Sequence, residues 1–404
     1  MISVEQALAQ ILATFTPLPG ETVALSEALG RVLAEDARAR MTQPPKAVSA
    51  MDGYAVKAAD VTAVPTKLRI VAHVAAGASF DQDVLAGQAA RIFTGAPLPP
   101  GTDAIVIQED TDRDGDQVVI KQRVEPGHYV RPAGLDFTTG DIGITAGSRL
   151  TARQVGLAAA MDIPWLTVRR RPRVAILATG DEVVLPGEPR TENQIVSSNG
   201  FSLAALVQAC GGVPINLGIA QDNRDSLLRL AKGGKGADLL VTTGGASVGE
   251  HDLIRQVLGE QGLTLNFWRI TMRPGKPLMF GALGDTPLLG LPGNPVSTLV
   301  CAILFLKPAL ERLLGLNGPS HRLQKARLGV ALTENDRRQD YLRARFEYDD
   351  QGHRHAFAFG RQDSSMMATL AQADGLILRK PHAPAAKIGD EVDILPLGSD
   401  ALGI

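Results

Sequence analysis

Several features that mark other protein classes are scarce in this chain. Its 404 residues include two cysteines, Cys210 and Cys301, and no CxxC or Cys/His cluster, which argues against a structural zinc site. Aromatic residues make up 4% and the net charge is −2, so no surface for nucleic acid or membrane is indicated. No apolar run approaches the roughly 20 residues that cross a bilayer, and Met1–Leu8 does not resemble a secretion signal. We therefore expect a cytoplasmic protein with two buried thiols.

The length and composition are those of a multidomain globular enzyme. At about 100–200 residues per domain the chain has room for two to four domains, and 45% of its residues are hydrophobic. Ser3 and Gln6 predict a helix opened by a capping box, and Leu25–Ala34 reads as a second helical run. Short β segments follow between residues 46 and 132, and helical spacing returns at Thr151–Met161.

A basic, proline-containing run, Arg169–Pro172, marks a boundary beyond which strands and helices alternate. This alternation predicts a parallel-rich sheet with helices on both faces, and short alternating segments after residue 323 predict a small β domain. We predict strands at Arg173–Leu177, Val213–Leu217, Leu239–Thr242 and Pro287–Leu291, and helices at Phe201–Cys210, Asp225–Lys232, His251–Leu258 and Pro295–Leu314. The predicted domains are 1–45 with 133–168, then 46–132, 169–318 and 319–404.

The segment Leu288–Ser297 is the most informative motif. An apolar strand stops at Pro292–Gly293, and a helix is predicted to begin at Asn294 as the N-cap with Pro295 in its first turn. The free N–H groups of such a helix start form an anion site, to which Ser297 adds a hydroxyl. Similar strand exits recur at Val174–Glu182 and Leu239–Glu250, which indicates a phosphate-bearing ligand.

The exit after Leu239 combines glycines, hydroxyls and acids. Its adjacent glycines and flanking hydroxyls can wrap a phosphate, and the two carboxylates that follow indicate Mg²⁺ between acids and phosphate oxygens. The residues concerned are Thr243, Gly244, Gly245, Ser247, Glu250 and Asp252. At the exit after Val174, Asp181 and Glu182 either stabilise a helix start or hold a divalent cation, and the residues alone leave both open.

Three cations lie close together in Phe267–Pro277. On one continuous strand, Arg269, Thr271 and Arg273 would share a face, and Lys276 follows a Pro-Gly break. Arginine suits contact with phosphate or another tetrahedral oxyanion, so we interpret this segment as an anion clamp rather than a solvated surface.

Two further motifs lie in the 46–132 region. Ser49–Ala55 contains Asp52 ahead of a glycine, and Thr94–Asp103 begins with a hydroxyl at a strand end. From local pattern each is most simply a turn, with Asp52 bonded to nearby backbone.

Together these motifs resemble the molybdopterin molybdenumtransferase family, the MoeA proteins and the gephyrin E domain. The resemblance spans essentially the whole chain and depends on six motifs in order: Ser49–Ala55, Thr94–Asp103, Thr179–Glu182, Thr243–Asp252, Arg273–Pro277 and Leu291–Ser297. It implies a multidomain α/β and β fold: an elongated N-terminal domain with an inserted β domain, a three-layer α/β molybdopterin-binding domain, and a C-terminal β-barrel-like domain. It also implies a homodimer whose active site lies between subunits.

The reaction that the resemblance implies is insertion of molybdate into adenylylated molybdopterin. The pyrophosphate link is cleaved, AMP and the molybdenum cofactor are released, Mg²⁺ is required, and other proteins of cofactor biosynthesis would receive the product. Positions matching family functional residues are Asp52, Thr94, Asp136, Glu182, Asp222 and Asp252, with Lys276 and, more weakly, Ser364. The metal ligands would be Glu182, Glu250 and Asp252. The chain departs from the family pattern at Val48, Ser197, Arg269 and Arg273.

Two rival functions follow from the same residues. A molybdopterin adenylyltransferase would use the same type of α/β domain, but the additional N- and C-terminal domains argue against it. A non-catalytic scaffold that binds a pterin is the other, and the set of acidic residues argues against it.

Overall fold

The computed structural model describes residues 1–244, 253–318 and 323–398, and it begins with a helix and two strands of the N-terminal domain. These are α1 (Val4–Thr14), β1 (Gly20–Ala24) and β2 (Ala37–Arg38). Ser3 and Gln6 form the predicted capping box, with each side chain bonded to the other residue's backbone N–H. Ala7 and Ile11 of α1 are fully buried in a core shared with the α/β domain.

The inserted domain is a β structure. Its strands are β3 (Val48–Ser49), β4 (Gly53–Val56), β5 (Thr66–Val74), β6 (Gln88–Ile92), β7 (Ala104–Ile107), β8 (Thr111–Asp114), β9 (Gln117–Ile120) and β10 (Val130–Arg131). Six of them form one sheet in the order β7-β4-β6-β5-β9-β8, and β3 pairs with β10. The chain then returns to the N-terminal domain through β11 (Ile142–Ile144), α2 (Ala152–Ala160) and β12 (Trp165–Arg169), of which β11 pairs with β2 and β12 with β1.

The α/β domain contains a six-stranded sheet ordered β16-β13-β17-β21-β20-β18, in which the first four strands pair in parallel and β20 pairs antiparallel with both β21 and β18. Its elements are β13 (Arg173–Thr179), β14 (Val183–Val184), β15 (Ile195–Val196), α3 (Asn199–Ala209), β16 (Val213–Ala220), α4 (Arg224–Ala231), β17 (Leu239–Thr243), α5 (Leu253–Gly259), β18 (Leu263–Trp268), β19 (Met272–Arg273), β20 (Met279–Leu283), β21 (Thr286–Leu291), α6 (Pro295–Cys301) and α7 (Lys307–Leu313). A π-helical turn, Ala302–Leu306, joins α6 to α7.

Burial explains the three layers of this domain. Along β13, Val174 and Ile176 pack with α1, α3, α6 and α7, whereas Ala175 and Leu177 pack with α4 and α5. A strand covered on both faces needs a continuous apolar run, which is why β13 and β17 are recognisable in the sequence.

The C-terminal domain is a closed five-stranded barrel. Its elements are β22 (Gln324–Leu328), β23 (Gln339–Tyr348), β24 (Arg354–Ala358), α8 (Met367–Ala371), β25 (Gly375–Arg379) and β26 (Glu391–Pro396). The ring runs β23-β24-β22-β26-β25 and closes by pairing of β25 with β23, while β19 of the α/β domain adds to β23. No helix in the described part of the chain is long and apolar enough to cross a membrane.

Two local predictions are wrong. The run predicted as a helix over Leu25–Ala34 contains only a 3₁₀ turn, Leu25–Glu27, because Gly30 has a φ of +74° and Leu33 N–H donates to the Ser148 carbonyl. The segment Arg269–Arg273 is not one strand, because β18 ends at Trp268 and Arg269 has a φ of +80°. The shared face predicted for Arg269, Thr271 and Arg273 therefore does not exist.

Candidate functional site

The ends of β13, β17 and β21 meet at the carboxyl edge of the parallel strands. Thr243, at the end of β17, is 2% exposed, and its hydroxyl donates to the Pro292 carbonyl at 3.0 Å. Asn199, at the start of α3, donates from Nδ2 to Thr243 Oγ1 at 2.9 Å and to the Gly293 carbonyl at 2.7 Å. One polar network thus ties three segments of the chain together. The predicted residues Thr243, Pro292 and Gly293 are adjacent.

Gly244 is the point of closest approach between two of these loops. Its φ is +89°, and a Cβ there would lie 2.5 Å from the Thr179 carbonyl oxygen. On its other side, a Cβ on Gly293 would lie 3.5 Å from the Gly244 Cα. Both the backbone angle and the space require glycine at position 244. We call Asn199, Thr243, Gly244, Pro292, Gly293 and Asn294 the strand-end cluster.

The C-terminal domain reaches this cluster through Ser364. Asn294 is the N-cap of α6, as predicted, but its side chain makes no capping bond and its Nδ2 donates to Ser364 Oγ at 2.7 Å. The Val296 N–H donates to the Ser364 carbonyl at 3.1 Å, which occupies one N–H of the predicted anion site. Ser297 is 5% exposed in the first turn of α6.

A buried arginine that the sequence analysis missed holds the loop of Ser364. Arg343 is 1% exposed and donates from Nη1 to the Met366 carbonyl at 3.1 Å and from Nε to Gln362 Oε1 at 3.2 Å. Burial lowers its pKa, because a charged group is costly in an apolar environment. No signal marked Arg343, because it is one of several arginines on an alternating strand. Asn199 was missed for a similar reason, as it looks like an ordinary helix start.

Carboxylates lie at the exits of β13 and β16. The Asp222 N–H donates to Asp181 Oδ1 at 2.9 Å, which joins the two exits, and the Glu182 carbonyl accepts from the Ile195 N–H at 2.7 Å. The side chains of Glu182 and Asp222 are exposed. Gly245, Ser247, Glu250 and Asp252 lie outside the described residues. Within the described ranges no group of three His, Cys, Asp or Glu side chains forms a metal site.

The three cations predicted as an anion clamp have different surroundings. The Arg269 guanidinium lies over the Trp268 ring, with its Cζ 4.0 Å from the ring centroid. Arg273 is bonded to Asp340 of the barrel, and this hydrogen bond raises the pKa of Arg273. The Lys276 carbonyl accepts from the Ile270 and Leu278 N–H groups, each at 3.1 Å.

In the inserted domain, Asp52 and Thr94 are in direct contact. Asp52 precedes β4 and Thr94 follows β6, and both the N–H and the hydroxyl of Thr94 donate to Asp52 Oδ1 at 2.8 Å. Both bonds lower the pKa of Asp52, because they stabilise the ionised carboxylate. The bond from the Thr94 backbone N–H has the larger effect, and the bond from the hydroxyl comes second. We call this contact the Asp52–Thr94 pair. The local pattern indicated a bond from Asp52 to nearby backbone, and it gave no indication of a partner at residue 94.

A cleft of about 650 Å³ lies beside this pair, between the inserted and N-terminal domains. Asp136 lines it together with the basic residues Lys46 and Arg131 and with Gly95, which follows Thr94. The Asp136 N–H donates to the Gln43 carbonyl at 3.0 Å. The predicted site residues therefore form two groups on different domains, each held by its own hydrogen bonds.

Family models match the chain in three successive stretches. Residues 2–161 match "MoeA N-terminal region (domain I and II)", residues 175–312 match "Probable molybdopterin binding domain", and residues 325–397 match "MoeA C-terminal region (domain IV)".

Similar proteins span nearly the full length. A molybdopterin molybdenumtransferase of Nostoc sp. is 36% identical over 93% of this chain and 88% of its own, and one of Haemophilus influenzae is 32% identical over 98% of both. The crystal structure of a molybdopterin biosynthesis MoeA protein from Pyrococcus horikoshii superposes with a TM-score of 0.85 at 31% identity. The superposition covers 99% of this chain and all of the other.

Proposed function

The chain belongs to the molybdopterin molybdenumtransferase family, and from that premise we propose that it inserts molybdate into adenylylated molybdopterin. In this reaction the dithiolene sulfurs receive the metal, the pyrophosphate link is cleaved, and AMP and the molybdenum cofactor leave. The observation that carries the proposal is the strand-end cluster, where backbone of three strand exits converges around Gly244. Ligands of open α/β sheets bind at this edge.

The charges near this edge support anionic substrates. Molybdate and a pyrophosphate repel one another strongly in a water-poor cleft unless cations lie between them. Arg269 and Lys276 supply cations. Gly244, Gly293 and the start of α6 would let the backbone come close to a phosphate. The hydroxyls of Thr243, Ser297 and Ser364 and the Asn294 amide add neutral polar groups. Gly245 and Ser247 would extend this surface.

We propose that carboxylates of the same edge bind Mg²⁺. Glu182 is exposed at the exit of β13, and its hard oxygen donors suit a cation that is typically held by one or two carboxylates and substrate phosphates. Glu250 and Asp252 would complete the set. Bound there, the ion would polarise the phosphate and neutralise developing charge. Asp222, whose N–H is bonded to Asp181, would orient the carboxylates at this edge.

The Asp52–Thr94 pair and Asp136 would act on the same substrates from a second subunit. The two groups of predicted residues lie on different domains, which suits a homodimer whose active site is shared between subunits. In this arrangement the ionised Asp52 would orient the reacting groups. Residence in the cytoplasm and transfer of the product to other proteins of cofactor biosynthesis complete the proposal.

The decisive experiment measures AMP release by the purified protein from adenylylated molybdopterin. We expect release that depends on molybdate, stops when Mg²⁺ is removed with EDTA and recovers when Mg²⁺ is restored. Release without molybdate, or none at all, would contradict the proposal. Consumption of ATP with pyrophosphate release would instead indicate an adenylyltransferase, and tight binding without turnover a scaffold.

A further inference from the structure

The segment Arg269–Leu278, here called the basic loop, is held by parts of the chain far from it in sequence. The Thr271 N–H donates to the Ile2 carbonyl at 2.9 Å, and the Thr271 carbonyl accepts from the Gln339 N–H at 3.0 Å. Through β19 the basic loop also pairs in parallel with β23 of the barrel, Arg273 opposite Asp340. The basic loop therefore connects β18 to β20 in the α/β domain and also contributes β19 to the sheet of the C-terminal barrel.

Side chains reinforce this junction. Asp340 is 2% exposed, and both of its carboxylate oxygens lie 3.0 Å from Arg273 Nε. Arg273 Nη2 also bonds Asp340 Oδ2, and Nη1 lies 3.7 Å from Asp336 Oδ2. A buried carboxylate with such a bidentate partner depends on that partner, because the unpaired charge would be costly in the barrel wall.

This pairing separates Arg273 from the other two cations of the basic loop. Its charge is already matched by one buried and one exposed carboxylate. In the described part of the chain, Arg269 and Lys276 have no ion pair. Their positions are set by the basic loop's backbone, since Arg269 N–H donates to the Leu278 carbonyl at 2.9 Å and Ile270 N–H to the Lys276 carbonyl.

We propose that Arg273 and Asp340 form a positioning pair, through which the C-terminal barrel fixes the basic loop and thereby places Arg269 and Lys276 for the anion. Arg273 then acts on the loop rather than as a direct ligand of phosphate or molybdate. The anion-binding part of this inference rests on the proposed function. The structural part does not, because it concerns contacts within the chain.

The two roles of Arg273 predict opposite effects of the change Asp340→Asn. If Arg273 were a direct ligand, loss of the competing carboxylate would leave anion binding unchanged or strengthen it. If the pair positions the loop, Asp340→Asn and Arg273→Gln weaken binding alike, and the double variant is no worse than either single one. Arg273→Lys, which keeps the charge, should restore much of the binding.

The test measures two quantities on the full chain. Hydrogen exchange without substrate should show the Ile270 and Leu278 amides exchanging at least about tenfold faster in Asp340→Asn and Arg273→Gln. The KM for molybdate in the AMP-release assay should rise about tenfold in both, with a smaller change in kcat. Asp238→Asn is the matched control, because Asp238 binds Arg170 through two bonds of 3.0 and 2.8 Å at the amino end of β17.

The outcomes separate the inference from the proposed function. Unchanged exchange in both variants would overturn the positioning role, and so would a lower KM in Asp340→Asn. If the unaltered protein releases no AMP, the proposed function fails, while the exchange result still decides the structural part. Should Asp340→Asn not fold, hydrogen exchange in Arg273→Gln carries the decision, because faster exchange of the Ile270 and Leu278 amides without substrate follows from a positioning role and not from loss of a direct ligand.

Discussion

The Asp52–Thr94 pair and the strand-end cluster organise their polar groups in opposite ways. In the pair, the side chains that we expect to act are themselves bonded, and the carboxylate lies near solvent. In the strand-end cluster, the half-buried Asn199 and the buried Thr243 bond backbone carbonyls and shape loops. The first group depends on one ionised atom, whereas the second depends on the path of the backbone. Substitutions should therefore affect function in the first and stability with function in the second.

The largest expected effect is at Gly244. The change Gly244→Ala places a Cβ against the Thr179 carbonyl at a φ of +89°, so we expect a loss of about 3 kcal/mol in the free energy of unfolding, together with loss of AMP release. Gly236→Ala is the control, because its φ is +80° but no atom lies within 4 Å of the Cβ. It should cost about 1 kcal/mol. Equal losses in urea denaturation would show that the close approach has no consequence.

The next effect concerns the Asp52–Thr94 pair. Asp52→Asn should reduce the rate of AMP release about 100-fold with only a small fall in the melting temperature, because it removes the charge and keeps the shape. Asp141 provides a matched control, since its Oδ2 also accepts from the N–H and hydroxyl of one threonine, Thr138, at 2.7 and 2.8 Å. Asp141→Asn should leave the rate within about twofold. Similar rates in the two variants would make Asp52 an ordinary turn residue.

A smaller effect is expected at Asn199. Asn199→Ala removes two hydrogen bonds and leaves the Gly293 carbonyl and the Thr243 hydroxyl with fewer partners, which should cost about 1–3 kcal/mol. Thermal unfolding measures this cost. The KM for adenylylated molybdopterin should rise in the same variant, since the loops lose their common tie. A lower stability with an unchanged KM would mean that the tie serves the fold alone.

The smallest effect is the pH dependence of the Asp52–Thr94 pair. The folded-state pKa of Asp52 lies below its ordinary value, so its contribution to stability is fully present above about pH 3.9 and is lost as pH falls through the folded pKa. Thr94→Val removes the hydroxyl donor and should raise this pKa, as measured by carboxyl carbon NMR. The pKa of Asp141, lowered by Thr138 in the same way, should not change.

Much of the fold could be predicted because apolar runs and strand–helix alternation report burial directly. The doubly covered strands β13 and β17 and the capping box at Ser3 are confirmed. The antiparallel strands β18 and β20 were not predicted, because the segment between them, Arg269–Pro277, is a loop with basic residues that interrupts the strand pattern. The domain boundaries stay predictions.

The candidate site was predictable only where a residue type has one main use. Gly244 and Gly293 stand where backbone approaches backbone, a position that suits glycine, and the phosphate-binding role that the glycine pattern predicts for them stays a prediction. Asn294, Arg273 and Asp52 have partners more than 40 residues away, and no local pattern specifies a partner at that distance. The roles in catalysis predicted for Asp136, Glu182 and Asp222 remain predictions.

The π-helical turn Ala302–Leu306 holds one residue more than an α-helical turn, because its hydrogen bonds join residues five apart instead of four. Deleting one residue within this turn would close it to regular α-helix. Ala309, Leu310 and Leu313 would then keep their places in the core that they now fill. The same deletion inside α7 has no extra residue to remove, and it would rotate the rest of that helix by about 100°. A one-residue change in chain length should therefore be tolerated better at the π-helical turn than in the helix that follows it.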